Sequence, residues 1–280
     1  MCGIDAALCD SLISLLSRLA SVPDGEEGNP TLSNRVVVIT GGASGIGKAT
    51  ALLFARDGER VVIMDRNEKA GKETEAEIRS RKGTALFLKT DIGNAQDVEA
   101  GFTAAGEQFG RIDILFSNAA LQINKPIFEL TEEDWDTMVA VNLKGTFLCC
   151  KAAAAPMMKQ RSGNIVICSS GHAFNSYPGY AGYAATKGGQ VAFMRAAAID
   201  LAPYGIRVNC MVPGATDSDL IRYHFSKHPE DEKRLKEKTP LGRLASPDEI
   251  ARGVRFLVSD EASFITGTCL AVDGGLMARG

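Results

Sequence analysis

Arg35-Val-Val-Val-Ile-Thr-Gly-Gly-Ala-Ser-Gly-Ile-Gly47 decides how this chain folds. Its first half is an unbroken β-branched run, the pattern of a strand buried on both faces. Glycines at 41, 45 and 47 then permit a tight turn, a close approach of backbone to a pyrophosphate, and packing of a helix against the strand. A helix starting there aims unpaired amides at an anion. The turn makes Gly41, Ser44 and Gly47 candidate contacts of a dinucleotide. A glycine loop without a ligand is the alternative, but the motif sits after a strand and before a helix, as the binding mechanism requires.

Outward from this turn, short apolar runs alternate with longer helical segments, the signature of a parallel sheet covered on both faces. The strands are expected at Val36–Thr40, Arg60–Asp65, Ala85–Thr90, Ile112–Ser117, Asn164–Cys168, Arg207–Val212 and Thr268–Val272. The helices are expected near Gly47–Asp57, Lys69–Arg81, Asn94–Phe109, Thr131–Gln160, Tyr183–Pro203 and Pro247–Ser259. The fold class is therefore α/β, a Rossmann-like, doubly wound, parallel seven-stranded sheet in one catalytic domain over residues 35–280. Residues 1–34 form an N-terminal extension. Leu8, Leu12, Leu15, Leu16 and Leu19 follow helical spacing, so Ala6 to Ala20 reads as a short amphipathic helix or a loosely ordered tail, with a linker from Val22 to Pro30.

The chain has 280 residues, 45% hydrophobic and 23% charged, with a net charge of -3. That balance argues against nucleic acid or an anionic membrane as partner, since phosphate-tracking proteins need clustered Lys and Arg. No apolar stretch reads as the roughly eighteen residues of a membrane span. Asp5 and Asp10 interrupt the N-terminal apolar run, against a secretory signal. Seven cysteines, without zinc or Cys-x-x-Cys spacing, read as reduced thiols in a cytoplasmic protein, and no metal site is expected.

Ser169-Ser-Gly-His-Ala-Phe-Asn-Ser-Tyr-Pro-Gly-Tyr-Ala-Gly-Tyr-Ala-Ala-Thr-Lys187 carries the chemistry. Tyr183 and Lys187 stand four residues apart, which in a helix stacks them on one face. An ammonium beside a phenol favours the phenolate, so Tyr183 could give and take a proton near working pH. That suits a secondary alcohol or its ketone. Ser170 follows a buried strand, at the carboxyl end where ligands bind in open α/β sheets. Tyr-x-x-x-Lys alone is also what chance leaves on helix surfaces.

Asp65 closes the second strand, where a carboxylate accepts a ribose hydroxyl and repels a 2'-phosphate, selecting NAD over NADP. A helix cap is the alternative, and the neighbouring Arg66 is a possible phosphate partner. Asp91 and Ile92 are expected at the adenine edge, unless Asp91 caps the following helix. Asn142 lies in an apolar helix, where a buried amide must find partners: backbone at a kink, or a water in a proton path behind Lys187.

Thr40-Gly-x-x-x-Gly-Ile-Gly47, Asp91, Asn118-Ala119, Asn142, Ser170, Tyr183-x-x-x-Lys187 and Pro213-Gly214 together resemble the short-chain dehydrogenases/reductases, from about Asn34 to the end. The resemblance implies a nicotinamide cofactor and a catalytic set of Asn142, Ser170, Tyr183 and Lys187. It also implies cofactor contacts from Ile46, Asn118, Pro213, Thr216 and Ser218, and a homo-oligomer, tetramer or dimer, assembled through the helices near 131–160 and 183–203. Two departures stand out: Ser117-Asn-Ala-Ala120 replaces the family's Asn-Asn-Ala-Gly, and Ser218 stands where a threonine is common.

The expected activity is hydride transfer between NAD and a secondary alcohol or ketone, with Tyr183 as general acid/base and Ser170 holding the substrate oxygen. The alternatives are an NADPH-dependent carbonyl reductase and a catalytically silent nucleotide-binding regulator; the intact Ser, Tyr and Lys set argues against the latter. Gly171 to Pro178, Leu121 to Phe128 and a lid from Ala215 to Pro240 are expected to line the pocket. Phe174, Tyr177 and Tyr180 allow a cyclic or apolar alcohol without choosing one. His172 either touches substrate or satisfies a loop backbone.

Overall fold

The computed structural model describes residues 34–218, 221–222, 225–226 and 229–279. The extension over residues 1–33, with its expected helix, lies outside the described residues, as do His224 and His228 of the expected lid.

Seven parallel strands form one sheet in the order β3-β2-β1-β4-β5-β6-β7. They are β1 (Val36–Thr40), β2 (Arg60–Asp65), β3 (Thr84–Lys89), β4 (Ile114–Ser117), β5 (Gly163–Cys168), β6 (Ile206–Pro213) and β7 (Cys269–Val272). The helices are α1 (Gly45–Arg56), α2 (Glu68–Ser80), α3 (Ala95–Phe109), α4 (Glu132–Gln160), α5 (Ala181–Leu201), α6 (Pro229–Lys238) and α7 (Pro247–Leu257). Alternate residues of each strand feed opposite faces: Val36 and Val38 join a core with Phe102, Cys149, Met157 and Met194. Val37 and Ile39 join another with Phe54, Ile78, Ile250 and Leu257. This two-sided burial is why β1 is apolar throughout rather than alternating.

Helix starts are fixed by side chains that accept the orphan amides. Asn67 caps α2, accepting from Ala70. Asn94 caps α3, accepting from Gln96 and Asp97, so Asp91 does not perform that role. Thr131 with Asp134, and Ser246 with Glu249, form reciprocal capping boxes on α4 and α7. Helix α4 contains a π-helical turn over Val139–Lys144.

One sequence reading needs correction. By length and composition α4 is apolar enough to cross a membrane, its best window averaging a hydropathy of 1.2. The apolar character has a local cause, because Cys149, Cys150, Ala153 and Met157 are buried in the core beneath the sheet.

Between β1 and β4 the sheet order reverses direction, so successive connections leave on opposite faces and open a crevice at the strands' carboxyl ends. The opposite edge is tied shut by ions: Arg35 binds the nearly inaccessible Glu59 at 2.9 Å, and Asp113 accepts the Val36 amide at 2.8 Å.

Candidate active site

At the crevice the glycine turn takes the shape the sequence demanded. Gly41 and Gly45 have φ of 65° and 51°, the left-handed region that side chains disfavour. A Cβ on Gly41 would lie 2.9 Å from the Ala119 Cα, and one on Gly47 would overlap the Gly41 carbonyl oxygen. Ser44 precedes α1 and is exposed, and its hydroxyl makes no capping bond. The first amides of α1 and this hydroxyl are thus available to an anion.

Thr40 opens the glycine motif, but the sequence reading gave it no role of its own. It is fully buried at the end of β1, and its hydroxyl accepts the amides of Asn118 at 2.9 Å and Ala119 at 3.1 Å. Asn118 in turn donates its side-chain NH2 to the carbonyls of Thr40 at 3.1 Å and Gly41 at 3.2 Å. The pair locks the ends of β1 and β4 together and fixes the turn. The sequence signals were its place at the head of the glycine motif and a lone hydroxyl closing an apolar strand.

Asp65 sits at the end of β2 with one carboxylate oxygen accepting the Ala43 amide of the glycine turn at 3.1 Å and the other the Asn67 amide at 2.9 Å. Each oxygen keeps a further acceptor site for a ribose hydroxyl. Beyond it lies a cleft of about 520 Å³ lined by Arg66, Lys89, Asp91 and Asp97 among others. Asp91 is exposed and turns back on the Gly93 amide at 2.9 Å, while the Ile92 side chain is buried in the core. On the far side, Pro213 ends β6, and the Thr216 hydroxyl donates to the Gly214 carbonyl at 3.0 Å. The Ser218 Cβ would be 3.7 Å from a Cβ on Gly45, so the segment after β6 lies over the glycine turn. Gly41, Ser44, Ile46, Gly47, Asp65, Asn118 and Ser218 thereby surround one crevice whose glycine cradle and unbonded amides fit a dinucleotide.

Ser170, Tyr183 and Lys187 meet beside this crevice. Ser170 follows β5 and caps the short turn Gly171–Ala173, its hydroxyl accepting the His172 amide at 3.2 Å. Tyr183 and Lys187 share one face of α5, the lysine nitrogen lying 5.4 Å from the centre of the phenol ring. Lys187 is only 1% exposed and donates to the Cys168 carbonyl at 2.7 Å. Burial lowers its pKa. Burial also raises that of Tyr183, which the nearby Cys168 reinforces, while a hydrogen bond with Ser170 pulls it down. Desolvation, not the phenolate-favouring influence expected from Lys187, therefore dominates the phenol in this site.

Asn142 lies within the π-helical turn of α4, fully buried. Its side chain clamps the backbone of Leu121, accepting the amide at 2.7 Å and donating to the carbonyl at 2.8 Å, and donates to Thr186 at 3.1 Å. The Asn142 carbonyl accepts from Gln190 at 2.8 Å and from the Thr146 hydroxyl at 2.7 Å. Of the two roles open to this amide, the backbone-binding one is present in these contacts. Thr186, the residue before Lys187, and Gln190, three residues after it, were not anticipated; their polarity on a buried face was the available signal.

Among the described residues no cluster of three or more His, Cys, Asp or Glu is placed to hold a metal.

Known proteins share this fold. The family described as Enoyl-(Acyl carrier protein) reductase matches residues 41–277. Cyclopentanol dehydrogenase of Comamonas testosteroni is 38% identical over 248 residues, covering 89% of this chain and 99% of its own length. A short chain dehydrogenase/reductase of Aspergillus oryzae is 38% identical over 256 residues, covering 90% and 98%. The crystal structure of 3-ketoacyl-(acyl-carrier-protein) reductase from Brucella melitensis complexed with NADH superposes with a TM-score of 0.82 at 34% identity, covering 88% and 99%.

Proposed function

We propose, from the premise that this chain belongs to the short-chain dehydrogenase/reductase family and is an alcohol-type oxidoreductase, that it moves a hydride between NAD and a secondary alcohol or its ketone. The observation that carries this reading is the convergence of Ser170, Tyr183 and Lys187 beside the glycine crevice. A nicotinamide dinucleotide held by the glycine turn, Asp65 and Ser218 supplies the hydride acceptor or donor. The chain's own residues then handle the proton and the substrate oxygen. Ser170 holds that oxygen and, through its bond to the phenol, keeps Tyr183 pointed at it. Tyr183 takes the hydroxyl proton in oxidation and returns it in reduction. Lys187, anchored by the Cys168 carbonyl, sets a positive charge under the ring, and Asn142 fixes the Leu121 backbone beside the pocket.

NAD is favoured by the Asp65 carboxylate, which would face a 2'-phosphate with like charge. Arg66 and Lys89 in the adjoining cleft favour the second reading, an NADPH-dependent carbonyl reductase. The substrate is a small cyclic or apolar secondary alcohol, supported by the aromatic Phe174, Tyr177 and Tyr180 and by the relative named for cyclopentanol. The free thiols Cys149, Cys150, Cys168, Cys210 and Cys269 support a reducing, cytoplasmic setting. A homo-oligomer is supported by Phe147 and Ile199, which stand 45% and 76% exposed on α4 and α5.

Replacing Tyr183 by Phe removes the proton-transfer group and keeps the ring. Turnover of a secondary alcohol, followed by absorbance of the reduced cofactor, is expected to fall about 100- to 10,000-fold. Near-normal turnover refutes the assignment.

A further inference from the structure

The loop after β5 holds a polar side chain that proton and hydride transfer leave unused. The His172 ring stacks on Tyr180, centroids 4.1 Å apart and planes 8° from parallel. It stands edge-on to Tyr177 at 5.5 Å and to Tyr183 at 5.8 Å. The Lys238 ammonium closes over Tyr177, 4.3 Å from the ring centre. These contacts fix the imidazole beside the reacting phenol.

A histidine that merely satisfied its loop would spend a ring nitrogen on a backbone carbonyl. Among the described residues His172 does not: its bond to Ser170 uses the main-chain amide, and Nδ1 is buried without a partner. A covered N–H is costlier than a covered lone pair, which places the proton on Nε2, the nitrogen that is neither buried nor bonded. Burial lowers the ring's pKa, so it is neutral at neutral pH. Tyr180, stacked on the imidazole, is close enough to Tyr183 to raise the phenol's pKa. The unspent imidazole N–H therefore stands beside the Ser170 and Tyr183 side chains, and only their two hydroxyls are needed for the reacting oxygen.

We propose that His172 determines specificity by binding a second oxygen of the substrate, so that the enzyme prefers cyclic secondary alcohols carrying a further hydroxyl or carbonyl to simple cycloalkanols. The proposal rests on the hydride-transfer reading of Ser170 and Tyr183. The physical basis is that a site built to hydrogen-bond a substrate oxygen rejects the analogue lacking it, because the site's own polar group is then left unpaired. A neutral N–H accommodates either hydroxyl or carbonyl, and the flat aromatic walls of Tyr177 and Tyr180 suit a ring.

The test compares cyclohexanol with cyclohexane-1,2-diol and cyclohexane-1,4-diol, each with NAD and with NADP, in the wild type and in His172→Phe. Phenylalanine keeps the stack on Tyr180 and removes both nitrogens. The ratio of kcat/KM for the better diol to that for cyclohexanol is the readout, since any loss of folded enzyme cancels from it. A ratio of about ten or more in the wild type, falling to about one in the variant through the diol's own kcat/KM, is expected. A wild-type ratio near one, or a ratio that survives the substitution, overturns the role of His172 and leaves hydride transfer standing. Oxidation of none of the three alcohols with either cofactor removes hydride transfer and this inference together.

Discussion

At Tyr183 two influences oppose each other, and their sum sets how the enzyme responds to pH. Burial holds the phenol protonated, raising its pKa, while the Ser170 hydrogen bond works the other way. Alcohol oxidation needs the phenolate, the minority form at neutral pH. The kcat/KM for oxidation is therefore expected to climb roughly tenfold per pH unit between about pH 7 and 9, while ketone reduction, which needs the protonated phenol, does not rise. A flat oxidation profile at saturating cofactor excludes Tyr183 as the titrating base. Lys187 poses a different question, because its buried ammonium is disfavoured by desolvation and held by one carbonyl. Lys187→Met keeps the volume and removes the charge. Its melting point is expected within the equivalent of about 1 kcal/mol of wild type, while turnover falls at least about 100-fold. A large loss of stability with activity retained makes Lys187 structural instead. The Tyr and Lys pairing was legible because helical geometry converts a spacing of four into contact. The raised phenol was not, since its burial and the nearness of Cys168 arise only in the fold.

Among the elements, the first turn of α1 and the π-helical turn of α4 show where one-dimensional patterns succeed and fail. The glycine turn was legible because no other residue type serves. Gly47→Ala is expected to cost about 3 kcal/mol, since its Cβ would overlap the Gly41 carbonyl and press on Asn118 at 2.8 Å, both locked by Thr40. Gly106 is the control: it lies within α3 with nothing within 4 Å of an added Cβ. Gly106→Ala is expected to stabilise by about 0.5–1 kcal/mol. Chemical denaturation of both variants checks the pair, and equal effects contradict the steric account. The stretch Thr131 to Gln160 was expected as uninterrupted helix, and nothing in its apolar periodicity marks Val139–Lys144. The turn is stabilised by distant partners, Leu121, Thr186 and Gln190, which bond Asn142. Strand ends moved by a residue or two for the same reason: Ile112 is apolar enough to be read into β4, yet its amide bonds to Gln160 rather than to a neighbouring strand.

For the whole molecule, structural ion pairs and the glycine crevice are sorted to opposite ends of the sheet. Arg35 with Glu59, and Arg111 with Asp113, seal the amino edge, whereas the carboxyl edge is left with glycines, small hydroxyls and free amides. That asymmetry follows from parallel topology, which sends every strand's carboxyl end to one side, so alternating strands and helices made both fold and site location legible. Cofactor identity was less so, because Asp65 and Arg66 are neighbours with opposite preferences. Ligand binding to the native state alone raises stability by about 2.7 kcal/mol when the ligand is at 100 times its dissociation constant. In a domain of this size that corresponds to a rise of roughly 5–10 °C in melting temperature. NAD is expected to produce this shift at a lower concentration than NADP, and Asp65→Ser is expected to narrow the gap by removing the repelling carboxylate. A reversed order in the wild type assigns the enzyme to NADP and makes Arg66 and Lys89 the phosphate clamp. A shift with neither dinucleotide removes the glycine crevice as a cofactor site altogether, because a ligand that binds only the folded chain must raise its melting point.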